Sequence, residues 1–382
     1  MANHCPIVLI HGLFGYGPKE MLGFNYWGQG MQVASPLQRF EASAGPISST
    51  HDRACEVFAQ IVGEPVDYGE EHSRLAGHLR ENPGKKQPEK FPKGFYPEWS
   101  EQNPIHLVGH SLGGPTIRML QYLLEQDFWK RGTSEKWVKS ISGISPVFNG
   151  STLAYLFGCD PNTGKLGGLS GEVLAGFFKL IAGALGSKLE DIYDFDLGQW
   201  GLNKNPDETL LDFYTRIATS EIFKGEDNAA YDLTLQSLVK QNALIKTFPG
   251  TYYFSYVAEQ TSKLPLVNYH WPDAGMNHLL RQSSQYIGSN LFFRTFYPGF
   301  NRAEWRENDG AVSSYSQQYP RTAGKHEVAG ELDDAMTDFE PGKCYWQYLH
   351  DRDHLDVAMF PEDTAWQQRF YTSLFNRLAK LD

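Results

Sequence analysis

The chain has 382 residues and a mass of 43.2 kDa, enough for one large α/β domain or two smaller ones with a substantial core. Its net charge of -11 and pI near 5.6 argue against a nucleic-acid-binding protein, because lysine and arginine are outnumbered and form no run longer than two residues. No apolar run approaches the ~20 residues that cross a bilayer, so the sequence predicts no transmembrane span.

The chain opens with an apolar strand that ends in a glycine-flanked turn. Residues 6–10 (PIVLI) are uniformly apolar, as expected of a buried strand, and His11, Gly12 and Leu13 follow directly. No signal peptide fits before so early a strand, so either the chain is made without one or an exported precursor was trimmed. The four cysteines have no paired spacing and predict isolated thiols or a single disulfide bridge.

A polar, irregular stretch extends from about residue 45 to residue 78 and contains Asp52, His72 and His78. The two histidines are six residues apart, a spacing that suits a site built from loops better than one on a helix face. On residue types alone, these side chains are interpreted as solvent-exposed surface. Residues 79–104 hold many Lys, Pro and Gly and are predicted to form an exposed loop.

The most informative stretch is residues 105–113 (IHLVGHSLG), a strand-like run that ends in Gly-x-Ser-x-Gly and passes into a helix-like sequence. This pattern is typical of a nucleophilic serine on a strained turn, with glycines small enough for strand and helix to pack closely. In α/β hydrolases, the backbone N–H groups of the next residue and of one residue after a His-Gly turn bind the oxyanion. The sequence therefore predicts Ser111 as the nucleophile, with Leu112 and Leu13 as oxyanion donors, unless the His-Gly turn is a plain corner.

Strands and helices alternate through the rest of the chain. Residues 138–146 and 251–257 predict strands, and residues 202–241 predict polar helices. Residues 171–185 are almost uniformly apolar but contain several glycines, so either a buried helix or a mobile lid over a hydrophobic site fits them. Because there is no internal repeat or low-complexity linker, one α/β domain with insertions is the simplest architecture.

Two late segments supply partners for the serine. A serine nucleophile needs a histidine to accept its proton and a carboxylate to orient that histidine, in the order Ser, Asp or Glu, His in α/β hydrolases. Asp309 stands directly before a glycine, where a turn at a strand end would present it, and His354 precedes a final helix. The sequence predicts these two, with Glu307 as a rival acid and His326 and His350 as rival bases.

Eight short strings, in order, resemble the thermoalkalophilic lipases of the Bacillus and Geobacillus type, which are related to the staphylococcal lipases. The resemblance covers nearly the whole chain and is more specific than the serine motif, because several strings have low degeneracy. The strings are residues 6–12 (PIVLIHG), 23–28 (GFNYWG), 52–56 (DRACE), 66–69 (VDYG), 199–202 (QWGL), 231–233 (YDL), 307–310 (ENDG) and 353–355 (DHL). The resemblance implies an α/β-hydrolase fold with a mostly parallel central sheet over residues 1–382. It also implies the catalytic triad Ser111, Asp309 and His354.

The same resemblance implies a zinc ion, which this family holds with two aspartates and two histidines in an extra subdomain. The matching positions are Asp52, His72, His78 and Asp227. The insertions at 45–80 and 203–245 would then form a zinc-binding subdomain. Four nitrogen and oxygen ligands suit tetrahedral zinc with no open position for water, so the ion would be structural. His51, beside the first ligand, replaces an aromatic residue of the family and would disturb zinc affinity or offer a competing ligand.

Family members also bind calcium near the catalytic histidine, and they cover the active site with helices. The calcium ligands are a backbone carbonyl matching Gly275 and acids just downstream of the histidine. Asp356 matches one acid, whereas residues 360–363 (FPED) stand where the family has Asp-Pro, so only part of the calcium pattern is present. The family's helical cover assigns residues 151–200 to a lid region.

The expected function is a lipase that hydrolyses the carboxylic esters of acylglycerols through an acyl-enzyme at a lipid–water interface. A phospholipase A1 or a general carboxylesterase is the close alternative, because the shape of the pocket sets the headgroup and chain length. A catalytically inactive hydrolase fold that serves as a binding module is the alternative from a different class. Family members are secreted, which favours an extracellular location if Met1 is not the natural start. The sequence leaves the oligomeric state open.

Overall fold

The computed structural model describes residues 3–18, 20–21, 24–82, 93–166, 195–205, 207–289, 300–321, 327–332 and 336–381. The lid predicted at 171–185 and the rival base His326 lie outside these residues.

The centre of the fold is a parallel sheet. The strands of the described residues are β1 (Ile7–Ile10), β2 (Arg39–Ala42), β3 (Ile105–His110), β4 (Val138–Ile144), β5 (Tyr252–Glu259), β6 (Thr261–Lys263), β7 (His270–Pro272), β8 (Glu327–Glu331) and β9 (Lys343–His350). Seven of them form one sheet in the order β2-β1-β3-β4-β5-β9-β8, with every neighbouring pair parallel. Strands β6 and β7 form a separate antiparallel hairpin.

Helices flank the sheet and connect its strands. Those of the described residues are α1 (Thr50–Val62), α2 (Glu70–Ala76), α3 (Gly113–Glu125), α4 (Leu153–Leu156), α5 (Leu210–Ala218), α6 (Ala229–Asp232), α7 (Leu235–Leu244), α8 (Arg281–Ser289), α9 (Ser314–Gln318) and α10 (Thr364–Ala379). Helices α1, α5 and α7 begin after Ser49, Thr209 and Thr234, whose side-chain oxygens accept a hydrogen bond from a first-turn N–H.

The side chains of the central strands point alternately to the two faces of the sheet, and both faces are buried. Ile7 and Leu9 of β1 pack into a cluster that includes Phe375 and other apolar residues of α10. Val8 and Ile10 enter a second cluster on the opposite face, with apolar residues of α1 and α3. A parallel sheet covered on both faces requires such uniformly apolar strands, and this explains the run at residues 6–10.

The topology creates a crevice at the carboxyl ends of β1 and β3. The chain runs from β1 outward to β2 and then returns to the other side of β1 to form β3, so the strand order reverses there. Ligands of open α/β sheets bind at such a reversal. Ile10 pairs with Gly109, and continuing this register places Gly12 opposite Ser111.

The predicted α/β-hydrolase fold with a mostly parallel central sheet is confirmed. The strand expected at 251–257 corresponds to β5, and the helical region at 202–241 contains α5, α6 and most of α7. All four cysteines are free, so the suggestion of a single disulfide bridge was wrong. Among the described residues, no helix combines the length and apolar character that crossing a membrane requires.

Candidate active site and metal centre

Ser111 lies on a sharp turn between β3 and α3. Its backbone has φ of 56°, the left-handed region that a residue with a side chain rarely adopts. A Cβ atom at Gly109 would lie 2.3 Å from the Gly113 carbonyl oxygen, and one at Gly113 would lie 2.3 Å from the Ile10 carbonyl oxygen. Both positions therefore require glycine, and the strained serine is held by close backbone packing around it.

Asp309 and His354 form a buried pair. His354 Nδ1 is 2.7 Å from Asp309 Oδ2, and the His354 backbone N–H donates to the Asp309 carbonyl at 2.9 Å. The other carboxylate oxygen, Oδ1, accepts hydrogen bonds from the N–H groups of Ala311 and Val312 at 2.9 and 2.7 Å. The backbone N–H groups thus hold one oxygen of the carboxylate, and the other oxygen orients the imidazole ring. This leaves Nε2 of His354 available for proton transfer.

The alternative base and the alternative acid that the structure describes lie away from Ser111. The side chain of His350 is 71% exposed and pairs with Glu259, whose Oε2 lies 3.1 Å from His350 Nδ1. Glu307 accepts a hydrogen bond from the Tyr348 hydroxyl at 3.4 Å, and burial raises the pKa of its carboxyl group. Neither residue lines the cavity that contains Ser111 and His354.

The turn after β1 approaches Ser111 closely. A Cβ atom at Gly12 would lie 2.7 Å from Ser111 Cβ and 3.2 Å from Ser111 Oγ, so this position also requires glycine. Within the described chain, the backbone N–H groups of Leu13 and Leu112 donate to no other residue. Two unused N–H groups beside a serine hydroxyl have the character of an oxyanion hole.

A cavity of about 360 Å³ opens beside Ser111 and His354. Its walls are mostly apolar, as expected of a site for a ligand with hydrocarbon chains. The aliphatic and aromatic side chains include Leu13, Phe14, Val147, Leu153, Leu156, Phe157, Leu279, Leu280, Leu355, Met359 and Phe360.

A second polar site joins segments that are far apart in sequence. His72 Nε2 lies 3.1 Å from Asp52 Oδ1 and 3.3 Å from Asp227 Oδ1. His78 Nε2 lies 3.1 Å from Asp227 Oδ2 and 3.6 Å from Asp52 Oδ2. One ligand atom from each of the four lies within 4.8 Å of all the others, so these side chains could hold a metal ion.

Part of this cluster is arranged as expected of ligands around a common ion. His78 Nε2 and Asp227 Oδ2 are close, but both are buried without a hydrogen-bond partner in the described chain, as expected of atoms directed at a common centre. The other nitrogen of His78, Nδ1, is 2.7 Å from the Leu79 carbonyl and donates to it, so Nε2 is the nitrogen that faces the two carboxylates. Gln199 donates to Asp52 Oδ2 at 3.2 Å.

The charges of the cluster depend on one another. Burial lowers the pKa values of His72 and His78, but the carboxylates of Asp227 and Asp52 outweigh it and raise them to about 9 and about 10. The ring of His51 stacks on that of His72, with centroids 3.6 Å apart. His51 is not one of the four potential ligands, but its Nδ1 lies 3.6 Å from Asp52 Oδ1.

The residues expected to bind calcium approach one another in part. A Cβ atom at Gly275 would lie 3.4 Å from Glu362 Oε2, and the Glu362 N–H donates to Asp356 Oδ1 at 2.6 Å. Asp356 Oδ2 is buried without a hydrogen-bond partner among the described residues. Burial raises the pKa of Asp356, and the neighbouring Glu362 adds to this shift. Glu362, which sequence reasoning did not choose, thus stands beside both predicted positions.

Comparisons with known proteins give the relatives of this chain. Lipase 1 of Staphylococcus aureus is 31% identical over 99% of this chain and 54% of its own length, so the chain spans about half the length of the curated relatives it matches. Among solved structures, EstA from Clostridium botulinum has a TM-score of 0.83 and 30% identity, covering all of this chain and 88% of that one. Lipase 1 from Pelosinus fermentans has a TM-score of 0.80 and 31% identity over the whole of both chains.

The Staphylococcus hyicus lipase has a TM-score of 0.74 and 28% identity, over 99% of this chain and 96% of that one. These neighbours bear out the resemblance to staphylococcal lipases. A family model described as the lipase-like C-terminal domain matches residues 3–382. Since that match extends over almost the entire sequence, the chain belongs to the family of lipase-like C-terminal domains.

Proposed function

We propose that this protein is a lipase that hydrolyses the carboxylic ester bonds of acylglycerols. The observation that carries the proposal is the arrangement of Ser111, on its strained turn, and the Asp309–His354 pair beside one apolar cavity. The names of its relatives, two of them lipases from Staphylococcus and Pelosinus, support the same activity.

The mechanism has two steps. His354 accepts the Ser111 proton as the serine oxygen attacks the ester carbonyl, and the N–H groups of Leu13 and Leu112 stabilise the negative charge on the carbonyl oxygen. His354 then gives that proton to the departing alcohol, which leaves an acyl group on Ser111. Water attacks the acyl-enzyme while His354 accepts a proton from it, and His354 then gives this proton to the Ser111 oxygen as the fatty acid leaves.

The decisive variant is Ser111→Ala. We expect it to abolish hydrolysis of p-nitrophenyl esters and covalent labelling by a fluorophosphonate, with the melting temperature retained. Turnover by the alanine variant would refute the assignment of the nucleophile. A wild-type protein that neither turns over esters nor reacts with the probe would instead favour an inactive binding module.

A phospholipase A1 or a carboxylesterase is the alternative within the same chemistry. The leucine-rich cavity favours long acyl chains, because each buried methylene contributes about 0.8 kcal/mol of transfer free energy. We expect emulsified long-chain triglyceride to be a better substrate than a soluble short-chain ester or a diacyl phospholipid. The part of the 151–200 lid region at 151–157 contributes cavity residues, including Leu153 and Phe157, which supports its role as a cover.

We also propose that Asp52, His72, His78 and Asp227 bind a structural zinc ion. The donor set of two imidazoles and two carboxylates supports zinc, and the approach of side chains from the insertions 45–80 and 203–245 supports their assignment to one zinc-binding subdomain. Zinc bound there would hold these segments together. Metal analysis of protein purified without added metal tests the proposal, and less than about half an equivalent would contradict it.

A calcium ion near Gly275 and Asp356 is the second metal we propose. The buried, unpartnered oxygen of Asp356 and the adjacent Glu362 carboxylate support a cation here, since calcium prefers oxygen ligands. Calcium added to chelated protein should raise its melting temperature, and Asp356→Asn should remove that response.

A further inference from the structure

A buried chain of hydrogen bonds connects three segments of the proposed active site. The Gly12 backbone N–H donates to the Tyr26 hydroxyl at 2.9 Å, and that hydroxyl is 2.6 Å from His110 Nδ1. His110 Nε2 is 3.1 Å from the carbonyl oxygen of His354. Tyr26 is 2% exposed and His110 is 1% exposed, so water does not compete for these groups.

The position of each proton follows from the partners. A carbonyl oxygen only accepts, so the proton on the neutral His110 ring lies on Nε2 and points to the His354 carbonyl. Nδ1 must then accept, and the Tyr26 hydroxyl donates to it. The hydroxyl oxygen in turn accepts the Gly12 N–H. Burial lowers the pKa of His110 well below its usual range, which agrees with a neutral ring.

Each of the three backbone segments that these hydrogen bonds connect lies next to a group with a proposed role in the reaction. Gly12 directly precedes Leu13, whose N–H is a proposed oxyanion donor, and His110 directly precedes Ser111. The third contact is to the backbone of His354, the proposed base. The Tyr26 hydroxyl thus lies at the junction of the oxyanion turn, the nucleophile strand and the base loop.

We propose that Tyr26 is a positioning residue for ester hydrolysis, and that its hydroxyl holds the Gly12–Leu13 turn and, through His110, the backbone of His354 in register with Ser111. This inference rests on the proposed function. Tyr26 lines the cavity beside Ser111, but its hydroxyl bonds to the Gly12 N–H and to His110 Nδ1, so it acts through the N–H donor and the base that it places. The ring also has a packing role, since it makes edge-on contacts with Tyr16 and Trp27.

The variant Tyr26→Phe separates these two roles. It keeps the ring and its contacts but removes the acceptor for the Gly12 N–H and the donor to His110. Loss of a whole oxyanion donor lowers kcat by about 10²–10³-fold. Since the variant releases the turn but leaves the Leu13 N–H in place, we expect kcat to fall by about 10–100-fold while KM stays within about twofold.

The chain offers a matched control in Tyr253. Its buried hydroxyl also accepts from a backbone N–H, that of Phe248, at 2.9 Å, and also donates to a side chain, Gln121 Oε1, at 2.9 Å. Tyr253 does not line the cavity. Tyr253→Phe therefore removes the same kinds of bonds from a structural position, and we expect a similar loss of melting temperature with kcat unchanged within twofold.

The experiment compares wild type, Tyr26→Phe and Tyr253→Phe on a soluble p-nitrophenyl ester, together with the rate and final extent of fluorophosphonate labelling. The expected result for Tyr26→Phe is slow labelling that still reaches one equivalent, since Ser111 is intact but poorly assisted. A Tyr26→Phe enzyme as fast as wild type would overturn the proposal. So would an equal loss of kcat in both variants, because that would reflect stability alone.

The activity of the wild type and a second variant complete the experiment. An inactive, unlabelled wild type would refute the proposed function, whereas an active wild type with an equally active Tyr26→Phe would refute only the positioning role. If Tyr26→Phe does not fold, His110→Asn replaces it: the amide oxygen can accept from Tyr26, but the donor to His354 is lost. We expect the same split between kcat and KM, and unchanged kcat would overturn the proposal.

Discussion

If Asp52, His72, His78 and Asp227 bind zinc as proposed, removing the ion should lower the melting temperature by an amount that grows with pH. Without a metal, the two carboxylates hold protons on both imidazoles, and the pKa values of His72 and His78 rise to about 9 and about 10. Ligand nitrogens must lose these protons before they coordinate a metal. At pH 7, each zinc ion that binds should therefore release about two protons.

The sign of the pH dependence follows from these shifts. The raised pKa values of the histidines stabilise the metal-free fold below the unfolded pKa near 6.5, and this contribution is lost as pH rises through 9 and 10. Zinc binding has the opposite pH dependence, because the competition of protons with the ion weakens as pH rises. With two protons displaced, the stabilisation by zinc should grow by about 2.7 kcal/mol per pH unit between pH 6 and 8.

The size of the thermal shift can be worked out from the length of the chain. Zinc at a thousand times its dissociation constant contributes about 4 kcal/mol. With an unfolding entropy of about 2.1 cal/mol/K per residue, a cooperative unit of this size would gain about 5 °C in melting temperature. The pH dependence then adds roughly 3 °C for each unit of pH.

Two measurements check this prediction. Calorimetric titration of chelated protein with zinc, in buffers of different ionisation enthalpy, gives the number of protons released. Thermal unfolding at pH 6, 7 and 8, with and without zinc, gives the shift. Asp227→Asn should remove the zinc response, whereas Asp212→Asn, at an exposed aspartate of the same insertion, should retain it. Release of fewer than one proton, or a shift that shrinks as pH rises, would refute the reasoning.

Three further predictions concern the active site and its support. Asp309→Asn should lower kcat by about 10³–10⁴-fold on a soluble ester, because the His354 ring loses its carboxylate; a loss below tenfold would mean that another acid orients the base. Gly12→Ala should lower kcat by about 10²-fold, since the new methyl would lie 2.7 Å from Ser111 Cβ, and unchanged kinetics would contradict the close approach of the turn. The fully buried Arg53 donates hydrogen bonds to the carbonyls of His11 and Gly45 and to Thr116 Oγ1. Arg53→Met should therefore lower the free energy of unfolding in urea by about 2–4 kcal/mol. A loss below about 1 kcal/mol would show that these bonds contribute little.

The candidate catalytic residues could be predicted because their signals are local. A strained serine turn needs small neighbours, and the acid and the base each follow a recognisable turn, so Ser111, Asp309 and His354 can be read from short strings. The parallel sheet brings the carboxyl ends of β1, β3 and β9 to one edge, which places the Gly12–Leu13 turn, Ser111 and His354 together. Asp309 follows no strand of the sheet and is held beside the base by its hydrogen bonds with His354.

The metal cluster could not be inferred from residue types, and only the family resemblance pointed to it. Asp52 lies on α1, His72 on α2 and His78 in the following turn, while Asp227 comes from an insertion far along the chain. No periodic spacing connects them. The Tyr26–His110 hydrogen bond could be predicted even less from the sequence. A tyrosine among aromatic residues gives the same sequence pattern whether its hydroxyl forms such a bond or only its ring packs.

The register between β1 and β3 has a consequence for how the substrate range can change. The distance from the Gly12–Leu13 turn to Ser111 is set by main-chain pairing between these strands, in which Ile10 faces Gly109. The cavity walls come largely from other segments, such as those that carry Leu153, Leu279 and Met359. For the proposed ester hydrolysis, substitutions in the walls can therefore alter which acyl chains fit without moving Ser111 or the turn, so that new specificities can evolve around an unchanged arrangement of the proposed catalytic groups.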